Sequence, residues 1–226
     1  KDQSFYQNLI NKYKRGHGYW IWKPYFISKV LKEINYGDVI NYIDIGCHII
    51  GENKKRFNEY LELITNENRW LLPFQYTNEE LDIDKNYEFP LREEYKYTKS
   101  DLFDYFDCLN DRLFTDSAQF WAGAFFIKKN ESSIKFINDW LEVFHKRFDL
   151  VNDTPSIIKN HNDFIENRHD QSIFSILCKK NKISSLSAYE CDWAFYNEKR
   201  TWMHNKNNPI LAKRDLKYNF IRRFMN

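Results

Sequence analysis

Apolar residues recur along this chain in blocks whose period changes from one block to the next. Over residues 25–35, Phe26, Val30, Leu31 and Ile34 fall on one helical face, and Gly37-Asp38 predicts a turn after it. Val39-Ile40-Asn41-Tyr42-Ile43 reads as a buried strand that ends at Asp44. Residues 54–66 return to helical spacing through Phe57, Tyr60, Leu61 and Ile64. Trp70-Leu71-Leu72 has the character of a short strand, whereas residues 77–98 are polar, contain Pro90 and predict irregular chain. Ser100 is placed to cap a helix reaching about Leu109, with Asp101 in its first turn. Residues 121–127 predict a further strand. Residues 131–148 form the clearest amphipathic helix, with Ile134, Ile137, Trp140, Leu141 and Phe144 inward. A loop over 150–168 and a helix over 170–179 complete the pattern. No repeat or low-complexity linker interrupts it, so residues 1–226 are expected to form a single α/β domain with a mixed, mainly parallel sheet flanked by helices. In such folds ligands sit at the carboxyl ends of strands, which points to Asp44.

Composition narrows the choice of chemistry. The 34 Lys+Arg and 32 Asp+Glu leave a net charge of +2, which argues against a general phosphate-backbone binder, so no nucleic-acid partner is expected. Aromatics reach 18% and glycines number only 6, so stacking surface is plentiful and each glycine is informative. Cys47, Cys108, Cys178 and Cys191 show no CxxC spacing and read as reduced thiols. No bilayer-length apolar run and no signal-peptide pattern is present, which predicts a cytoplasmic protein.

Three constellations carry candidate chemistry. RGHGYWIWKP at residues 15–24 places two glycines beside Trp20 and Trp22. That is either a tight turn over a core Trp pair or a backbone that approaches a ligand. YIDIGCH at 42–48 sets Asp44 directly after a buried strand, where a carboxylate either contacts a ligand or caps the next turn. RHDQSIFS at 168–175 puts Asp170 and Gln171 at a helix start, as caps or as groups that hold ligand hydroxyls in the cleft. Lys99 with Asp101, Gln119 with Gly123, Asp192-Trp193 and His204 form a looser set.

RGHGYWIWKP, YIDIG, QFWAG and RHDQS, in this order between about Arg15 and His204, resemble a bacterial family of GT-A-type glycosyltransferases found among capsule and lipopolysaccharide synthesis proteins. The resemblance implies a GT-A-like, Rossmann-like fold. Only about forty residues precede Asp44 and the chain starts at Lys1 rather than Met, so the N-terminal unit of that fold is expected to be truncated. Asp44 corresponds to the first Asp of the D-x-D motif that faces the sugar nucleotide. Asp170 and Gln171 are similar to a D-Q pair that faces the donor sugar and are the implied catalytic residues. Trp20, Lys23, Asp44, Lys99, Asp101, Gln119, Gly123 and His169 are the implied substrate-binding set. His204 matches in rough position a His that completes a metal site with Asp44. Gly46 stands at the second D-x-D position and offers no side-chain ligand, so Mn²⁺ or Mg²⁺ is expected to bind weakly or not at all.

The implied reaction is transfer of a hexose-like sugar from a sugar nucleotide to a bacterial surface glycan, free or lipid-linked. Retention is favoured, and inversion with Asp170 as base is the other course. A catalytically silent glycan- or nucleotide-binding relative that scaffolds a polysaccharide complex is the alternative. The basic residues Lys206, Lys213, Arg214, Lys217, Arg222 and Arg223 add an expected peripheral contact with the inner membrane.

Overall fold

The computed structural model describes residues 2–66, 68–77 and 86–213. The chain opens with helix α1 (Asp2–Lys12), the turn α2 (Gly16–Tyr19) and helix α3 (Trp22–Glu33). Strands β1 (Val39–Ile43) and β2 (His48–Ile49) precede helix α4 (Lys54–Asn66), then come β3 (Leu71–Gln75) and β4 (Tyr87–Glu88). Three short helices, α5 (Glu94–Tyr97), α6 (Ser100–Tyr105) and α7 (Arg112–Thr115), lead into the long strand β5 (Phe120–Lys128). Helix α8 (Glu131–Lys146) is followed by a 3₁₀ turn at Phe148–Leu150, a loop, and helix α9 (Asp170–Lys180). Short strands β6 (Leu186–Ser187), β7 (Ala194–Tyr196), β8 (Lys199–Thr201) and β9 (Ile210–Leu211) finish the described chain.

The main sheet has the order β1-β5-β3-β6. Strand β5 runs antiparallel to both β1 and β3, and only the β3–β6 ladder is parallel. The sheet is therefore mixed, as expected, but its pairing is mainly antiparallel rather than mainly parallel. The cause is that β5 is buried along nearly its whole length. Burial on both faces writes the same continuous apolar run into an antiparallel strand as into a parallel one, so the sequence pattern does not reveal direction. Alternating helices signal crossovers, but not the insertion of a later strand between β1 and β3.

Helices cover both faces. On one side Phe125, Trp140, Phe144 and Phe174 pack together, joining β5 to α8 and α9. On the other, Tyr60 and Ile64 of α4 meet Phe74, Trp121 and Phe126. Strand β5 changes phase within this frame. Phe120 and Ala122 face the first core, yet so do Phe125 and Ile127, while Trp121, Ala124 and Phe126 face the second. The flip falls at Gly123 and coincides with a register shift between Pro73 and Phe74 of β3. It is a β-bulge of the kind that re-aims side chains beside functional sites. A Cβ on Gly123 would come within 2.3 Å of the Trp121 indole, so the missing side chain lets that ring lie flat over the bulge.

Most expected elements are present with shifted ends. Helix α3 begins at Trp22 rather than 25, and α6 stops at Tyr105 rather than 109, where Asp107 adopts φ 56°. Among the described residues no helix is long and apolar enough to cross a membrane. Of the basic C-terminal positions, Arg214, Lys217, Arg222 and Arg223 lie outside the described residues.

Candidate active site

The bulge creates the site. It takes Ala122 out of the ladder with β3, and buried backbone polar groups must find other partners. Two side chains supply them. Lys23 Nζ, from α3, donates to the Ala122 carbonyl at 3.0 Å, and Gln171 Oε1, from α9, accepts from the Ala122 N–H at 3.3 Å. Lys23 and Gln171 thereby meet beside Asp44, whose own N–H donates to Gly123 O at 2.7 Å. A cleft of about 400 Å³ opens here, at the carboxyl end of β1, and Trp20, Lys23, Asp44, His169, Asp170 and Gln171 all line it.

Lys23 is the hub. Its ammonium lies 2.8 Å from Asp170 Oδ2 and 3.5 Å from Asp44 Oδ1. The Asp170 contact is the closer of the two ion pairs. Tyr42, two residues before Asp44 on the same strand face, donates to Asp44 Oδ1 at 2.6 Å. The side chains of Lys23 and Asp170 are only 4% and 6% exposed, whereas that of Asp44 is 37% exposed. Burial pulls the Lys23 ammonium down, but Asp170 and Asp44 outweigh burial and leave it above its ordinary value. Burial pushes the Asp170 carboxyl up to about 6, with Lys23 opposing the rise. The Tyr42 phenol is raised by burial and then by the Asp44 charge, so it stays a hydrogen-bond donor.

The raised Asp170 value has a measurable consequence. Between its ordinary value of 3.8 and about 6 the folded state holds a proton that the unfolded state has lost. The contribution of Asp170 to stability therefore falls as pH rises through that window, by on the order of 2–4 kcal/mol. Lys23, raised above its ordinary value, adds a contribution lost only at alkaline pH. Asp170→Asn is expected to flatten the pH dependence of stability between pH 4 and 6, measured by urea unfolding at fixed pH steps. An unchanged slope would contradict the assigned burial.

The loop that precedes α9 is tied down by two residues expected at the substrate. Lys99 Nζ donates to Asp149 O and Asn152 O at 2.8 and 2.7 Å, and the Asp101 carboxylate accepts from the N–H groups of Ile157 and Ile158. Neither is among the residues lining the cleft; the structure does not bring Lys99 and Asp101 to Asp44, and both anchor the loop. Burial lowers the Lys99 ammonium. Gln119 sits wholly buried behind Gln171, and Gly123 acts through the Trp121 ring. His204 is not part of the cleft wall. Its Nε2 lies 3.0 Å from Tyr189 O, and its ring packs against Tyr87 and Phe89, so the structure does not place it with Asp44 as a metal ligand.

RGHGYW forms a left-handed turn: Gly16, His17, Gly18, Tyr19 and Trp20 all have φ between 50° and 85°. Non-glycine residues resist this conformation by about 1–2 kcal/mol each, and the two glycines ease it. A Cβ on Gly16 would meet the Trp20 indole at 2.4 Å, so the ring is seated on bare backbone. Trp20 stacks on His169 with ring centroids 5.4 Å apart, which occupies indole surface expected to be free for a ligand. His169 itself has φ 55° and ψ −115°, a strained conformation for a side-chain-bearing residue, and its Nδ1 lies 2.6 Å from Val151 O. Burial lowers its imidazole, which favours the neutral ring.

Sequence reasoning did not single out Tyr42, Glu94, Trp121 or Arg92, whereas Asp192-Trp193 of its looser set does line the cleft. Arg92 pairs with Asp192 at 2.9 Å, donates to Tyr76 and lies over the Tyr76 and Trp193 rings at the far part of the cleft wall. Only Tyr42 carried a signal, its i−2 position placing it on the Asp44 face of the strand. A scan against protein-family models, a search of curated proteins and a search of solved structures each return no match to this chain.

Proposed function

We propose that the cleft binds a sugar nucleotide and that the protein transfers its hexose-like sugar to a glycan acceptor, in a GT-A-type variant of the mixed α/β architecture. The observation that carries this reading is Asp44. Its Oδ1 is engaged by Tyr42 and Lys23, while Oδ2 has no hydrogen-bond partner among the described residues and its side chain is open to the cleft. A carboxylate held by one oxygen and free at the other suits a sugar hydroxyl, which donates to it. Aromatic rings and cations, among them Trp121, Trp193, Arg15 and Arg168, line the same space and suit a ring system joined to a diphosphate.

In the transfer the bond from the sugar's anomeric carbon to the diphosphate oxygen breaks, and the electron pair leaves with the nucleoside diphosphate. The anomeric carbon bonds to an acceptor oxygen, whose proton passes to a base or to the departing phosphate. Asp170 borders the cleft but is less suited to touch the donor than the resemblance implies, because its side chain is nearly wholly buried and paired with Lys23. Its role in this reading is to hold Lys23, which in turn positions Asp44. A divalent metal fits the described residues poorly. Among them no three His, Cys, Asp or Glu side chains gather as ligands, Gly46 offers none, and His204 faces Tyr189 O. No step is routed through one.

A silent binding relative is the second reading, favoured by Gln171, whose carbonyl and one amide hydrogen are both committed within the protein. A thermal-shift panel of sugar nucleotides, followed by release of radiolabelled sugar without acceptor, separates the two. Stabilisation with turnover is expected. Stabilisation without turnover supports the silent relative, and a panel with neither effect overturns both. Contact with a membrane through the basic C-terminal segment belongs to the same proposal.

A further inference from the structure

A line of three side chains joins the buried interior to the cleft. Glu94 on α5 is fully buried, and its Oε2 meets Lys179 Nζ at 2.6 Å and the Ser175 hydroxyl. Its Oε1 accepts from Thr98 Oγ1 at 2.6 Å and from Gln119 Nε2 at 2.8 Å. Gln119 Oε1 accepts in turn from Gln171 Nε2 at 2.7 Å, and Gln171 Oε1 accepts from the Ala122 N–H. The two ends of this line each allow one polarity. A carboxylate paired with an ammonium only accepts, and a backbone N–H only donates.

Each amide between those ends is therefore confined to one of its two orientations. Flipping Gln119 alone would set its oxygen against the Glu94 carboxylate and its NH₂ against that of Gln171. Flipping Gln171 alone would set its NH₂ against the Ala122 N–H. Burial makes such mismatches costly, because each leaves a polar group without a partner in a dry site. One N–H of the Gln171 amide makes no hydrogen bond among the described residues, and Gln171 lines the cleft.

We infer that Glu94, remote from the cleft, is a positioning residue that acts through Gln119 to fix Gln171 as a hydrogen-bond donor toward the ligand. The cleft then presents opposite polarities at two points: an acceptor at Asp44 Oδ2 and a donor at Gln171. The ligand atom at Gln171 is an acceptor oxygen, and on the sugar-nucleotide reading, on which this last identification rests, it is a ring or bridging oxygen of the glycosyl phosphate.

The relay is tested on the free protein by amide-proton exchange of the Gln171 side chain in ¹⁵N-labelled samples, with the signals assigned by their loss in Gln171→Glu. One Gln171 proton is expected to be protected and the other to exchange with solvent. Glu94→Gln frees the polarity of Gln119 and is expected to raise exchange of the protected proton at least about tenfold. The swap Glu94→Gln with Gln119→Glu restores an acceptor opposite Gln171 and is expected to return exchange to near the wild-type rate. Should either Glu94 variant fail to fold, Gln119→Met, which keeps the Glu94–Lys179 pair, carries the test with the same expected rise. Equal exchange of both Gln171 protons in the wild type would overturn the inference. So would wild-type protection in Glu94→Gln or Gln119→Met, or a folded swap that stays unprotected. None of these readouts needs substrate or turnover, so failure of the sugar-nucleotide reading leaves the relay standing, and the reverse holds too.

Discussion

Asp44→Asn is expected to lower sugar transfer by about two to four orders of magnitude while leaving the fold intact. The geometry separates the two effects. Asp44 is more than a third exposed, so Asn is not forced into a dry site. The amide oxygen still accepts from Tyr42, and Lys23 keeps Asp170 at 2.8 Å and the Ala122 carbonyl at 3.0 Å. What disappears is the negative charge at the atom that opens to the cleft. The Lys23 contact at 3.5 Å weakens with the lost charge, so stability should fall by about 1 kcal/mol, well short of the loss expected when the closer Lys23–Asp170 pair is broken. The paired measurements are release of radiolabelled sugar from the nucleotide identified by the thermal-shift panel, and urea unfolding. Wild-type turnover in a folded Asp44→Asn protein would remove Asp44 from the chemistry, and with it the observation on which the functional reading stands.

How much of this was legible in the sequence differs between the frame and the site. The strand over 39–43 and the helix over 54–66 fall on the residues that the apolar spacing marked, although the strand, at the sheet edge, is half-buried throughout rather than buried. Asp44 and Asp170 were marked as cleft residues from their positions after a strand and at a helix start, and both line the cleft. The bulge at Gly123 left no such mark. It depends on which strand lies beside β5, a partner 45 or more residues away in the chain, and on the indole that covers the glycine. Lys99 and Asp101 look like site residues because charge near an irregular segment suggests a ligand, yet their charges satisfy backbone groups of the loop. Glu94 was invisible for the opposite reason. A Glu beside Glu93 in a polar stretch reads as solvated, and only folding brings Thr98, Gln119, Ser175 and Lys179 around it.

Lys23→Met is the substitution expected to cost the fold most. Lys23 is buried, and methionine matches the length and apolar character of its stem, so the change removes a charge rather than volume. Asp170 would lose its only close cation among the described residues, and Ala122 O its donor. Breaking a buried pair from one side costs about 3–5 kcal/mol, because the remaining charge stays in a dry site. The loss has a definite pH signature. Lys23 holds the Asp170 carboxyl down against burial, so its removal lets that value climb above about 6. At pH 5 Asp170 is then protonated and needs no partner; at pH 8 it must ionise in a dry site or keep a proton at a cost in free energy. Destabilisation should accordingly be larger at pH 8 than at pH 5. Adding Asp170→Asn should recover a large part of the loss at pH 8 and little at pH 5, since the double variant has no stranded carboxylate. Urea unfolding of the wild type, both single variants and the double variant at the two pH values gives the coupling directly. A Lys23→Met protein as stable as wild type at pH 8, or a pair whose effects simply add, would show that Lys23 and Asp170 do not hold each other, and the cleft would lose the contact that sets Asp44 in place.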